Sequence, residues 1–266
     1  MQKFIQRFLL LLGLLLLSFN VYGLLIQPLV RNGEVVYSKY HYRLITPEAA
    51  ISEFENLKKA SLSDKEKLEK LLDLVSSSYI HYDQRYKLQP WDNWIFWAYD
   101  FAYRLKTNFT RFLPFPNSDL LWRRGAGLCS QAAYIYSDKA RELGYQSRMI
   151  MLTEHVVAEV FLADRGWLVV DPDYGVFWNA TIEELRKKYG EVGISQKIVE
   201  LGFETEIAEA LTKIYLNNPW KIDNRDFKDL KSFELRTRIW IWIIPLCLIL
   251  LALCLKWISK LKDRSP

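Results

Sequence analysis

The chain has 266 residues, and 36 Lys and Arg against 31 Asp and Glu leave it a formal charge of +5. That balance is too mild to mark a nucleic-acid-binding surface. Aromatic residues make up 15%, with ten Trp and fifteen Tyr, which is rich for a soluble domain and suits a protein working beside a membrane, where amphipathic rings settle at the interface. The length allows one domain of ordinary size plus additional segments.

The first of these segments runs from Phe8 to Ile26. It is apolar apart from Gly13, Ser18, Asn20 and Gly23, and it follows a start bearing Lys3 and Arg7. Such a segment enters a membrane, either as a signal peptide with Gly23 near the cut or as an uncleaved anchor. The anchor is preferred, because Leu24-Leu25-Ile26 continues the apolar run past the cut. The expected boundaries of this segment are 1–27.

A lead-in over 28–118 comes next. Residues 34–45 alternate like a strand. Thr46-Pro47-Glu48 then predicts an N-cap with proline at the first helical position, opening a helix to about Lys59. Ser63-Asp64 caps a second helix, with Leu68, Leu71, Leu72, Leu74 and Val75 at helical spacing, before Tyr79-Ile80-His81-Tyr82 closes it. His41 and His81 have no chemical partners nearby in sequence and read as structural. Between Pro90 and Phe115 lie Trp91, Trp94, Phe96, Trp97, Tyr99, Phe101 and further rings. They form either an amphipathic helix packed into the protein or a surface for lipid or an apolar substrate. Residues 113–118 read as a loop.

The chemistry is concentrated over Gly125–Gly175. Gly125 and Gly127 permit a tight turn, and Ala132, Ala133, Tyr136, Ala140 and Leu143 are spaced for a buried helix ending at Gly144. Cys129 therefore falls at a helix N-terminus, where unpaired backbone N–H groups and the helix dipole stabilise negative charge and can hold an oxyanion. Gln146–Leu152, His155–Leu162 and Trp167–Asp171 read as strands, the last two joined by a hairpin at Asp164-Arg165-Gly166. A register symmetric about Asp164 makes His155 and Asp171 diagonal neighbours, whereas one centred on Arg165 separates them. In chemical terms Cys129 is a nucleophile, His155 its base and Asp171 the group that orients the imidazole. One Cys and one His do not make metal-ligand spacing, so neither a metal nor a cofactor is expected.

Of the three cysteines, Cys247 and Cys254 lie in the second apolar segment, where Ile239–Leu255 is uncharged and is followed by Lys256, Lys260, Lys262 and Arg264. This predicts a transmembrane helix over 236–258 with a cytoplasmic tail over 259–266. Cys129 is then the only thiol of the exported part and has no disulfide partner there. Upstream of this span, Thr181 caps a helix, a longer helical run is expected from Ser195 to about Leu216, and Lys221–Lys231 reads as a solvated linker, all within 181–235.

Gly-Leu-Cys129 with Ala132 and Ala133, Glu-Leu-Gly-Tyr-Gln-Ser-Arg at 142–148, His155-Val-Val-Ala-Glu159-Val and Gly-Trp-Leu-Val-Val-Asp171-Pro-Asp together resemble the transglutaminase-like superfamily. The resemblance implies an α+β fold with a papain-like core at 119–180, in which a Cys-bearing helix packs on an antiparallel sheet, here flanked by transmembrane helices. It makes Cys129 the nucleophile, His155 the base and Asp171 the orienting acid. Val157 departs from the aromatic residue usual two positions after the histidine, which puts the substrate pocket in question; no side chain is assigned to the oxyanion.

The function expected is a membrane-anchored cysteine acyltransferase or amide hydrolase, acting outside the cytoplasm on a protein, peptide or other amide through a thioester. The alternatives are a non-catalytic binding or assembly module of the cell envelope, and a cysteine peptidase. Apart from the substrate, the partner expected is the membrane.

Overall fold

The computed structural model describes residues 1–26, 45–81, 87–108, 116–217, 220–223 and 228–262. In chain order these form α1 (Gln2–Leu25), α2 (Pro47–Leu57), α3 (Asp64–Ser78), β1 (Ile80–His81), α4 (Pro90–Lys106), α5 (Ser118–Arg124), β2 (Ala126–Gly127) and α6 (Cys129–Glu142). Four strands follow: β3 (Ser147–Met151), β4 (Val156–Leu162), β5 (Gly166–Asp171) and β6 (Val176–Phe177). The remainder is α7 (Ile182–Lys188), α8 (Gly190–Glu200), α9 (Thr205–Leu216), β7 (Lys221–Asp223) and α10 (Lys228–Lys262). The chain divides into a helical unit, drawn from Met1–Gln27, Lys87–Asn117 and Asp226–Pro266, and a mixed unit from Pro28–Tyr86 and Ser118–Arg225.

In the mixed unit, helix starts follow side-chain chemistry. The Thr46 hydroxyl accepts the Ala49 N–H at 3.1 Å, with Pro47 next to it at the first helical position. Ser63 and Glu66 form a reciprocal capping box, and so do Thr181 and Glu184. The five-stranded antiparallel sheet has the order β6-β5-β4-β3-β7. The β4–β5 hairpin pairs Leu162 with Gly166 and Ala158 with Val170, a register symmetric about Asp164, and Gly166 takes the positive φ of +76° that the turn requires. Alternation puts Ile150, Val157 and Val169 in one core with Trp178, Leu185, Ile194, Ile198, Leu211 and Tyr215, which come largely from α7–α9. Helix α6 packs on β3 and β4. Glu159, 1% exposed, is paired with its cross-strand partner Arg148 at 2.6 Å.

Two expectations need correction. The helical run from Ser195 to Leu216 is interrupted: α8 ends at Glu200, and Gly202 with φ +93° turns the chain before α9. The stretch from Lys221 is more than a solvated linker, since Lys221–Asp223 pairs antiparallel with Met149–Met151 and Ile222 packs against the core. The strand expected over 34–45, apart from Ile45, and the first half of the loop expected over 113–118 lie outside the described residues.

In the helical unit α1, α4 and α10 pack together, and α1 and α10 are long and apolar enough to cross a membrane. The aromatic residues of α4 join this packing: Trp91 meets Tyr22 edge-on at 5.4 Å between ring centroids, and Phe96 and Tyr99 lie 6.0 and 5.1 Å from Phe233. Glycines set the close approaches. A Cβ on Gly23 would lie 2.0 Å from the Trp91 carbonyl oxygen, and one on Gly13 2.9 Å from the Pro245 carbonyl oxygen. Pro245 stands inside α10 and has no N–H to give the carbonyl four residues before it, that of Ile241. The side-chain amide of Asn20, on α1 and 3% exposed, donates to that oxygen at 2.6 Å.

Candidate active site

Cys129 is the first residue of α6, with Leu128 as its N-cap. The lead-in is tightly confined. Gly125 has φ +69°, and a Cβ on Gly127 would come within 2.2 Å of the Tyr79 hydroxyl and 2.4 Å of Gln131 Oε1, so a side chain there would have to displace both groups. Gln131 Oε1 in turn accepts the Leu128 N–H at 3.3 Å. The short parallel pairing of β1 with β2 sets His81 opposite Gly127, two residues before the cysteine. Trp122 Nε1 is committed to Ser78 Oγ at 2.6 Å.

The hairpin register supplies the other groups. Continued beyond the ladder, it sets His155 opposite Asp173 and diagonal to Asp171. His155 Nε2 lies 2.7 Å from Asp171 Oδ2, which leaves Nδ1 as the nitrogen for sulfur. Cys129 Sγ, a ring nitrogen of His155 and a carboxylate oxygen of Asp173 all lie within 4.8 Å of one another. Asp171 is fully buried and fully committed: the Tyr215 hydroxyl from α9 also donates to Oδ2, and Oδ1 accepts the backbone N–H groups of Asp173 at 3.1 Å and Tyr174 at 3.3 Å. Four donors on two oxygens fix the plane of the carboxylate. The Tyr174 ring meets His155 edge-on at 5.3 Å.

Cys129 is half-buried, while His155, Asp171 and Asp173 are buried. Burial works against charge on the His155 imidazole, but the Asp171 carboxylate, its hydrogen bond and the contact with Cys129 together hold its pKa well above the ordinary 6.5. Burial and the neighbouring Asp171 also raise the Tyr215 phenol well above its usual value, so it stays a donor.

A stability test follows from His155. Its folded-state pKa lies above the unfolded one, so its contribution is complete below pH 6.5 and is lost as pH rises through the folded value. The wild-type melting temperature is expected to fall, as pH increases above 6.5, more than that of His155→Gln. Parallel pH profiles for the two proteins would contradict the assignment.

Three neighbours of these groups were not singled out from sequence. Tyr215 sits 44 residues from Asp171, beyond any local spacing rule. Asp173 is the register partner of His155 and was readable from the hairpin once its centre was fixed. His81, read as structural, bonds through Nδ1 to Asp173 Oδ2 at 2.7 Å. The sequence spacing argued against a metal site, yet tertiary folding brings the donors of Cys129, His155 and Asp173 together. By donor type they could accept a cation, although their spread of up to 4.8 Å exceeds the edges of about 3.5 Å implied by zinc–ligand bonds.

No family model and no curated protein matches the chain.

Proposed function

We propose that this protein is a membrane-anchored, transglutaminase-like cysteine acyltransferase or amide hydrolase whose mixed unit works outside the cytoplasm. The observation that carries the reading is the run of contacts from the Cys129 sulfur through the His155 imidazole to an Asp171 carboxylate that three other donors also hold. The order Cys, His, Asp along the chain and the packing of the Cys-bearing α6 on an antiparallel sheet support a papain-like core. The two long apolar helices and the cationic residues from Lys256 onward support anchoring with the tail in the cytoplasm.

The chemistry proceeds from these positions. His155 Nδ1 takes the thiol proton, and the sulfur attacks the carbonyl carbon of an amide. The Cys129 and Ser130 N–H groups at the start of α6, ahead of the Gln131 N–H that donates to the Leu128 carbonyl at 2.8 Å, receive the oxyanion. The imidazolium protonates the departing amine and leaves a thioester on Cys129. Asp171, held by Tyr215, keeps the ring in the orientation that presents Nδ1 to sulfur.

Alkylation by iodoacetamide tests the coupling of thiol and imidazole directly. In a background carrying Cys247→Ala and Cys254→Ala, Cys129 is expected to label readily at pH 7, and His155→Ala to slow labelling by on the order of tenfold. Equal labelling rates with and without His155 would sink the reading.

A further inference from the structure

Asp173 is a buried carboxylate, 4% exposed. One oxygen, Oδ2, is held by His81 Nδ1 at 2.7 Å, and the other, Oδ1, has no hydrogen-bond partner. An unpaired buried carboxylate oxygen is costly. This one belongs to a group within 4.8 Å of the Cys129 sulfur, the distance at which a molecule attacking a thioester on that sulfur would stand. His81 is only part-buried, its side chain 27% exposed, so the pair extends from the reacting atoms toward solvent. The Cys129–His155–Asp171 chemistry makes no use of either residue.

We propose that Asp173 and His81 form a second base that binds the ammonium group of an acceptor amine and removes its first proton, so that the acyl group on Cys129 is passed to an alkylamine. This rests on the thioester reading above. The argument is a count of protons. Water attacking a thioester sheds one proton on forming the acid, and His155, left neutral when the first amine departed, accepts it; one base suffices. An alkylammonium must shed two protons to become an amide nitrogen, so a second acceptor is needed. Asp173 Oδ1 pairs with the ammonium, and the first proton passes to the Asp173–His81 pair and on to solvent through His81. The neutral amine nitrogen then forms its bond to the acyl carbon while the carbonyl electron pair moves onto oxygen, and the second proton goes to His155. When the carbonyl re-forms, the C–S bond breaks and its electron pair leaves on the Cys129 sulfur, giving the amide, the thiolate–imidazolium pair and one proton in solvent.

The test uses the full chain in detergent with p-nitrophenyl acetate as acyl donor. Nitrophenol release reports acylation of Cys129, and the acetyl group is followed into acetate, N-butylacetamide or acetohydroxamate. n-Butylamine is an ammonium at neutral pH, whereas hydroxylamine is already unprotonated and needs only His155. Asp173→Asn is expected to keep the nitrophenol burst and transfer to water and hydroxylamine, while transfer to n-butylamine falls about 100-fold. His81→Gln should lower butylamine transfer in the same selective way and flatten its pH profile. Equal losses for all three acceptors in both variants, no loss in either, or no N-butylacetamide from the wild type would overturn the assignment. A missing burst in the wild type would overturn the thioester reading and this inference together, whereas a normal burst without acceptor selectivity in the variants would overturn this inference alone.

Discussion

Cys129→Ala is expected to lower acyl-group turnover by on the order of 10⁴–10⁶-fold, to the level left by binding and oxyanion donors alone. It should also abolish the mass adduct formed with p-nitrophenyl acetate. The fold should survive. The residue begins α6, is half-buried and belongs to none of the buried core residues, so truncating its sulfur should change unfolding free energy by less than about 1 kcal/mol. Intact mass and a thermal melt on the same sample separate the two effects. Full turnover by the alanine variant would remove Cys129 from the chemistry altogether.

Asp171→Asn is expected to be nearly as damaging although it keeps the shape of the side chain. The carboxylate receives two donors on each oxygen: His155 and Tyr215 on Oδ2, and the N–H groups of Asp173 and Tyr174 on Oδ1. An asparagine offers one oxygen and one NH₂ group, so whichever way it turns, two donors face another donor. If its oxygen serves the turn, His155 loses its acceptor and Nδ1 is no longer presented correctly; if it serves His155, the turn carrying Asp173 loosens. Activity should fall about 10⁴-fold, the scale seen when an orienting carboxylate is neutralised. The unfolding free energy should fall by about 1–3 kcal/mol. Tyr215→Phe removes one donor of the four and should cost about 1 kcal/mol with a much smaller loss of rate. The measurement is the nitrophenol burst rate alongside a denaturant melt, and a wild-type rate in Asp171→Asn would count against the orienting role.

Local chemistry made much of this legible in advance. Thr46-Pro47 and Ser63 with Glu66 announced their helices because caps act within one turn. Asp164-Arg165-Gly166 announced the hairpin because glycine alone accepts the turn's positive φ cheaply. The hairpin alone left two registers open, and it is the one centred on Asp164, adopted in the sheet, that makes His155 and Asp171 diagonal neighbours. Long-range placement was not legible. Tyr215 reaches Asp171 from a helix whose start depends on the break at Gly202, and His81 reaches Asp173 through a two-residue parallel pairing too short to leave a periodic signal. Lys221–Asp223 looked like a solvated linker because it is short and charged, whereas the free edge of β3 determines its conformation.

The bond from Asn20 to the Ile241 carbonyl bears on the order in which the helices can settle. Where water is excluded there is no solvent donor for a carbonyl stranded by proline, so α10 on its own would carry an unsatisfied polar group at the level of Ile241. The donor arrives from the other end of the chain, synthesised more than two hundred residues earlier. The last helix therefore reaches its lowest free energy only in the presence of the first, and removal of α1 after assembly would strip α10 of a bond its own backbone cannot replace. Within the helical unit the N-terminal helix thus completes the hydrogen bonding of α10.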